Sequence, residues 1–127
     1  MPLQQFDEYA PLFAEGYIDD SATPMVPVTI TDTNLRQRVD SIIINSNDTI
    51  DHVVALCIGT EPLLSVNVPA GAGFGGVPAV DVFKTISTWS DLDHLTFPTQ
   101  GVVLKAYAEE AVQSGKVVRV HCIAGLV

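Results

Sequence analysis

The chain has 127 residues, 47% of them apolar; at this size one domain removes about two thirds of its unfolded-chain surface from water, so a single core held by burial is expected. Six basic against fifteen acidic residues leave a net charge of -9, which repels phosphate backbones, so nucleic acid is not an expected partner. The longest apolar runs, residues 42–44 and 53–58, fall far short of the roughly 20 residues of a membrane helix, and MPLQQFDEYA at the start has neither the basic residue nor the apolar block of a secretory signal, so no membrane contact is expected.

Residues 1–24 carry Pro2, Pro11, Gly16 and Pro24 among Phe6, Tyr9, Leu12, Phe13, Tyr17 and Ile18. Prolines at this density block a long helix, and the aromatics are too many for a purely solvated tail. An extended acidic arm is expected here, followed by a β-domain over residues 25–127. Asp7, Glu8, Glu15, Asp19 and Asp20 all precede the first basic residue, Arg36. Such an arm packs on its own domain or on a neighbouring subunit.

Residues 25–31, MVPVTIT, alternate in the period of a half-buried strand. Pro27 removes a backbone donor and places that strand at a sheet edge. Residues 38–45, RVDSIIIN, form a strand rich in β-branched side chains, and the polar turn SNDT joins it to residues 52–58, HVVALCI. The two are expected to pair as a hairpin. Their apolar character on both faces puts them centrally in the sheet, one face in the core and the other covered by an arm or a subunit. After the turn at residues 59–62, residues 63–68, LLSVNV, supply the next strand, with Leu64, Val66 and Val68 on one face.

Residues 65–77, SVNVPAGAGFGGV, contain Gly71-x-Gly73-x-x-Gly76, the spacing of a dinucleotide-binding turn. That chemistry requires a parallel sheet and a helix opening inside the motif, and Pro78 is a candidate start for a helix through Ile86. The strands upstream, however, are separated by turns of only a few residues, which is antiparallel spacing. The glycines therefore read as a sharp joint between two halves of the fold, with Phe74 its one bulky residue.

Residues 85–99 are polar and aromatic with irregular spacing, and read as a loop. Trp89, Asp91, Asp93 and His94 in it are candidate ligand-binding residues, with stacking on Trp89 as the physical basis for a sugar. His52 and His121 lie in strands without a second ligand at metal spacing. Cys57 and Cys122, flanked by apolar residues, are expected to be buried thiols, with a disulfide between them left open. No catalytic residue, cofactor or metal site is expected. Residues 101–112 and 116–126 alternate clearly, Leu104, Ala106 and Ala108 on one side of the first and Val118, Val120 and Cys122 on one side of the second. The short turn at residues 113–115 makes them an expected hairpin, in preference to a helix over residues 104–112.

Strands at these spacings, without repeats or helical crossovers, make an all-β fold, an antiparallel β-sandwich or jelly-roll-like barrel. The succession VDSIIINSNDTIDHVVALCI, SVNVPAG and LTFPTQGVVLKAYAEEAVQSGKVVRVHCIAG resembles small bacteriophage virion structural proteins of the head-decorating or stabilising type over residues 38–125. The resemblance implies a non-enzymatic protein that works by contact, made in the host cytoplasm and carried in the virion. Its implied partners are the major capsid protein or another virion protein and further copies of itself. Phe6, Tyr9, Phe13, Tyr17 and Phe74 are the expected interface residues. A tail or neck component, or a carbohydrate-binding module, is the alternative.

Overall fold

The computed structural model describes residues 11–22, 24–30, 37–59, 61–85, 95–96 and 103–126. Along them run β1 (Pro11–Asp19), β2 (Val28–Thr29), β3 (Gln37–Ser46), β4 (His52–Ile58), β5 (Glu61–Val68), β6 (Val80–Asp81), a turn of helix α1 (Val82–Thr85), β7 (Leu95–Thr96), β8 (Leu104–Ala108) and β9 (Val117–Leu126). They build an all-β antiparallel sandwich. One sheet has the order β1-β9-β3-β6, with β7 also on β3, and the other has the order β2-β8-β4-β5.

The core lies between the sheets and is set by simple alternation. Val118, Val120 and Cys122 of β9 point inward against Leu104, Ala106 and Ala108 of β8 and Val54 and Leu56 of β4, all buried. Each large aliphatic among them contributes about 1.5–3 kcal/mol on leaving water. In β3 the register slips between Val39 and Ser41. The bulge shifts the inward set from Val39 to Ile42 and Ile44, because one extra residue reverses which parity faces the core. The unbroken run of isoleucines therefore serves both faces.

Two expected hairpins are not present. Residues 38–45 and 52–58 form β3 and β4, but β3 lies in the first sheet and β4 in the second. Residues 101–112 and 116–126 likewise separate: β8 pairs β4 and β2, whereas β9 pairs β1 and β3. Both connections are arches that cross the sandwich. The reason lies in their polar side chains, which bond one arch to the other, Asp48 buried and Asn47 at the surface. Asp48 Oδ2 accepts from Gln113 N at 3.0 Å and sits 2.7 Å from His52 Nε2. Asn47 Oδ1 accepts from Val117 N at 2.8 Å. A hairpin would leave these groups to water and lose the mutual satisfaction.

Among the described residues, only β4 and β5 pair as sequence-adjacent strands around a short turn. Between β3 and β4 the central placement holds, and β2 is an edge as Pro27 requires, although shorter than residues 25–31. The helix proposed for residues 78–86 is the four-residue α1. Residues 11–19 of the acidic arm are the strand β1, laddered to β9 from Pro11↔Gly125 to Asp19↔Val117. Gly16 lets β1 pass close to the opposite layer, where a Cβ would overlap the Cδ1 end of the buried Ile30 and push that side chain aside. Both cysteines are free thiols.

Candidate functional site

Alternation that buries Val118, Val120 and Cys122 turns Arg119, His121 and Ile123 onto the outer face of the first sheet. Registry then decides their neighbours: Glu15 lies opposite His121 and Tyr17 opposite Arg119 on β1, while Ile43 and Asn45 flank them from β3. The result is a polar row across three strands. Tyr17 OH donates to Glu15 Oε2, Glu15 Oε1 lies 3.1 Å from His121 Nδ1, and Asn45 Nδ2 lies 3.3 Å from His121 Nε2. With the Asn45 amide donating, the ring proton of a neutral His121 resides on Nδ1, facing the carboxylate. Arg119 stacks on the Tyr17 ring at 5.7 Å from its centroid, within cation–π range.

This row sets its own electrostatics. The Tyr17 hydroxyl holds the Glu15 carboxyl below its ordinary value, with partial burial opposing and His121 and Arg119 assisting. The same bond, desolvation and the Glu15 charge raise the Tyr17 phenol, against Arg119. Within this network the Tyr17 hydroxyl bonds the carboxylate of Glu15, and the carboxylate in turn faces the imidazole of His121. Among the described residues no three His, Cys, Asp or Glu side chains group as metal ligands. What the face offers is donors, acceptors and two exposed apolar side chains, Tyr17 (51%) and Ile123 (41%), on either side of the Glu15–His121 pair.

Next to it stands the glycine-rich loop, residues 69–79, which links β5 of one sheet to β6 of the other. Left-handed φ values at Gly71, Gly73, Gly75 and Gly76 let the chain coil on itself, a conformation other residues adopt at a cost. The coil is closed by Gly73 N to Val77 O at 2.7 Å, Phe74 N to Gly71 O at 2.8 Å and Val77 N to Phe74 O at 3.0 Å. It is tied down by Ser46 N to Ala72 O at 2.9 Å and Gly71 N to Asp48 O at 3.1 Å. Ala72 is buried beneath, while Phe74 projects with 45% of its surface exposed. An open depression is lined by Gly73, Phe74, Val77, Pro78 and Ala79. Among the described residues its lining is glycine and apolar side chains. A phosphate cradle of the dinucleotide type is absent here, since the loop ends in β6 and not in a helix.

The Asp48–His52 pair is the other concentration of polar groups, but it is sealed. Thr49 N donates to Asp48 Oδ1 at 2.6 Å, and Asp48 N to Ser46 Oγ at 3.2 Å, and both acid and imidazole are inaccessible. No substrate reaches it; it is a latch between arches.

Of the residues singled out by sequence, Tyr17 and Phe74 are described and exposed. Phe13 is placed only by its position opposite Ile123 in β1. Phe6, Tyr9, Trp89, Asp91, Asp93 and His94 lie outside the described residues. Glu15, Asn45, Arg119 and His121 went unrecognised as a group. Their signal was present as polar residues two apart in otherwise apolar strands, but only the pairing of β1 with β9 brings them together. No family model and no curated protein matches this chain.

Proposed function

We propose that this chain is a non-enzymatic structural protein of a phage virion, which decorates or stabilises the capsid through exposed side chains on a rigid sandwich. The observation that carries the reading is Phe74, a half-exposed aromatic on a loop otherwise locked by backbone hydrogen bonds. An anchor of that kind binds with little ordering cost, because its backbone is already fixed. Tyr17, stiffened by Glu15 and Arg119, is a second anchor. The polar row supports the same reading, since it offers register-setting hydrogen bonds of an interface rim. Partners are the major capsid protein or another virion protein, and further copies of this chain.

The test is to purify particles from the host that makes the protein, detect the chain by mass spectrometry and locate it by electron microscopy with a labelled antibody. The chain is expected on the particle head, with Phe74→Ala and Tyr17→Ala each lowering its occupancy while leaving the isolated protein folded. Absence from purified particles would sink the reading, and label on the neck or tail would move it to those components.

A further inference from the structure

The two sheets end in edges that are treated very differently. A bare edge strand presents unpaired N–H and C=O groups, and proteins blunt it by shortness, proline, lysine or a bulge. β2, β6 and β7 are two residues each. β5 carries Pro62, and its ladder to β4 slips between Leu56 and Cys57. β1 has none of these devices beyond its first residue, Pro11. It runs nine residues in unbroken register with β9, and no strand among the described residues lies on its other side.

That edge is also pre-set. Ile18 is buried, and Gly16 is buried against Ile30. Glu15 and Tyr17 are bonded to each other on the outer face. An antiparallel strand bonded to one neighbour directs the N–H and C=O of alternate residues away from it, so β1 holds a ready row of donors and acceptors. Among the described residues its own carboxylates are Glu15 within it and Asp19 and Asp20 at its end. Arg119 and His121 stand on the β9 side, over Tyr17 and against Glu15, which leaves Asp19 and the exposed Asp20 as the charges nearest the open side.

We propose that β1 accepts an extended, lysine- or arginine-bearing segment of a partner protein by strand addition. Backbone bonds supply the pairing, and the surrounding carboxylates select the basic partner. A second copy of β1 is the poorer occupant, because self-pairing sets these carboxylates near one another on a chain of net charge -9. The proposal goes beyond the virion reading and does not depend on it, since it concerns a backbone edge and not Phe74.

The experiment titrates the full-length, isotope-labelled chain with a short peptide alternating lysine and valine, and with its glutamate counterpart, reading amide shifts and hydrogen exchange. The lysine peptide is expected to shift β1 and to slow exchange at every second β1 amide, with roughly tenfold weaker binding by the glutamate peptide. Asp20→Lys, an exposed position, should weaken the lysine peptide and leave the spectrum of the free protein otherwise intact. Shifts away from β1, or equal binding of both peptides, would overturn the proposal. So would β1 protection that appears without peptide and grows with protein concentration, which would mean self-pairing.

Discussion

Asp48 is the side chain on which the connections at one end of the sandwich converge. Burial by itself pushes its carboxyl up, but the Gln113 N–H, His52 and the Thr49 N–H together hold it below the ordinary value. Removing it strands those donors in a dry site, so Asp48→Ala is expected to cost about 2–4 kcal/mol in chemical denaturation. A folded-state pKa lower than the unfolded one gives stability that is complete above the unfolded value and lost as the pH falls through the folded one. Wild type should therefore lose more stability than Asp48→Asn between about pH 4 and pH 2. A parallel decline of the two proteins would show that Asp48 is not the coupled group. His52 was visible in the sequence as a strand histidine, but its partnership with Asp48 was not. In an arch the turn side chain lies over the core end, whereas in the expected hairpin it would point to water.

At the level of the element, the glycine loop separates two kinds of glycine requirement. Gly73 has φ +89, and a Cβ there would lie 2.8 Å from Asn45 Cβ. Gly75 has φ +57 with nothing within 4 Å of an added Cβ. Gly75→Ala is therefore expected to cost about 1 kcal/mol for the left-handed backbone alone. Gly73→Ala should cost about 2–4 kcal/mol because the clash adds to it. Equal losses in parallel melts would mean that the loop shifts freely over β3. The sequence showed that these glycines form a joint between halves, since no other reading suits their density after a strand in an antiparallel series. It also showed the inward faces of β8 and β9. It misassigned their partners, because the period of two is the same whether a strand folds back beside its neighbour or crosses to the other sheet.

Across the molecule, the Cys122 thiol reports on the sandwich as a unit. Cys122 lies in the core on β9, where burial and the Asp40 charge push its thiol up to about 12. Cys57 lies on β4 of the other sheet, only 1% exposed, and its thiol is also raised by desolvation, against the pull of Lys105. The thiolate is the reactive form. Cys122, in the core cluster, should therefore resist alkylation in the native state and react at the rate at which the sandwich opens as a whole, whereas Cys57, buried outside that cluster opposite Lys105, should react at a rate of its own. Labelling of Cys122 far faster than the loss of β-structure would show that β9 detaches on its own. Such detachment is not expected, because β9 is laddered on both sides, to β1 and to β3.

Alternation, turn residues and composition were enough to determine from sequence the class of fold, the central strands and the antiparallel pairing of the described strands. These depend on local periods and on short separations along the chain. Which strand pairs which, and hence the meeting of Tyr17, Glu15, His121 and Asn45 on one face and the edge of β1 that no described strand covers, was decided only by the tertiary structure. Pairing is a choice between arrangements with the same local pattern. Contacts between residues far apart in the chain, Asn47 with Val117 and Asp48 with Gln113 among them, tip that choice.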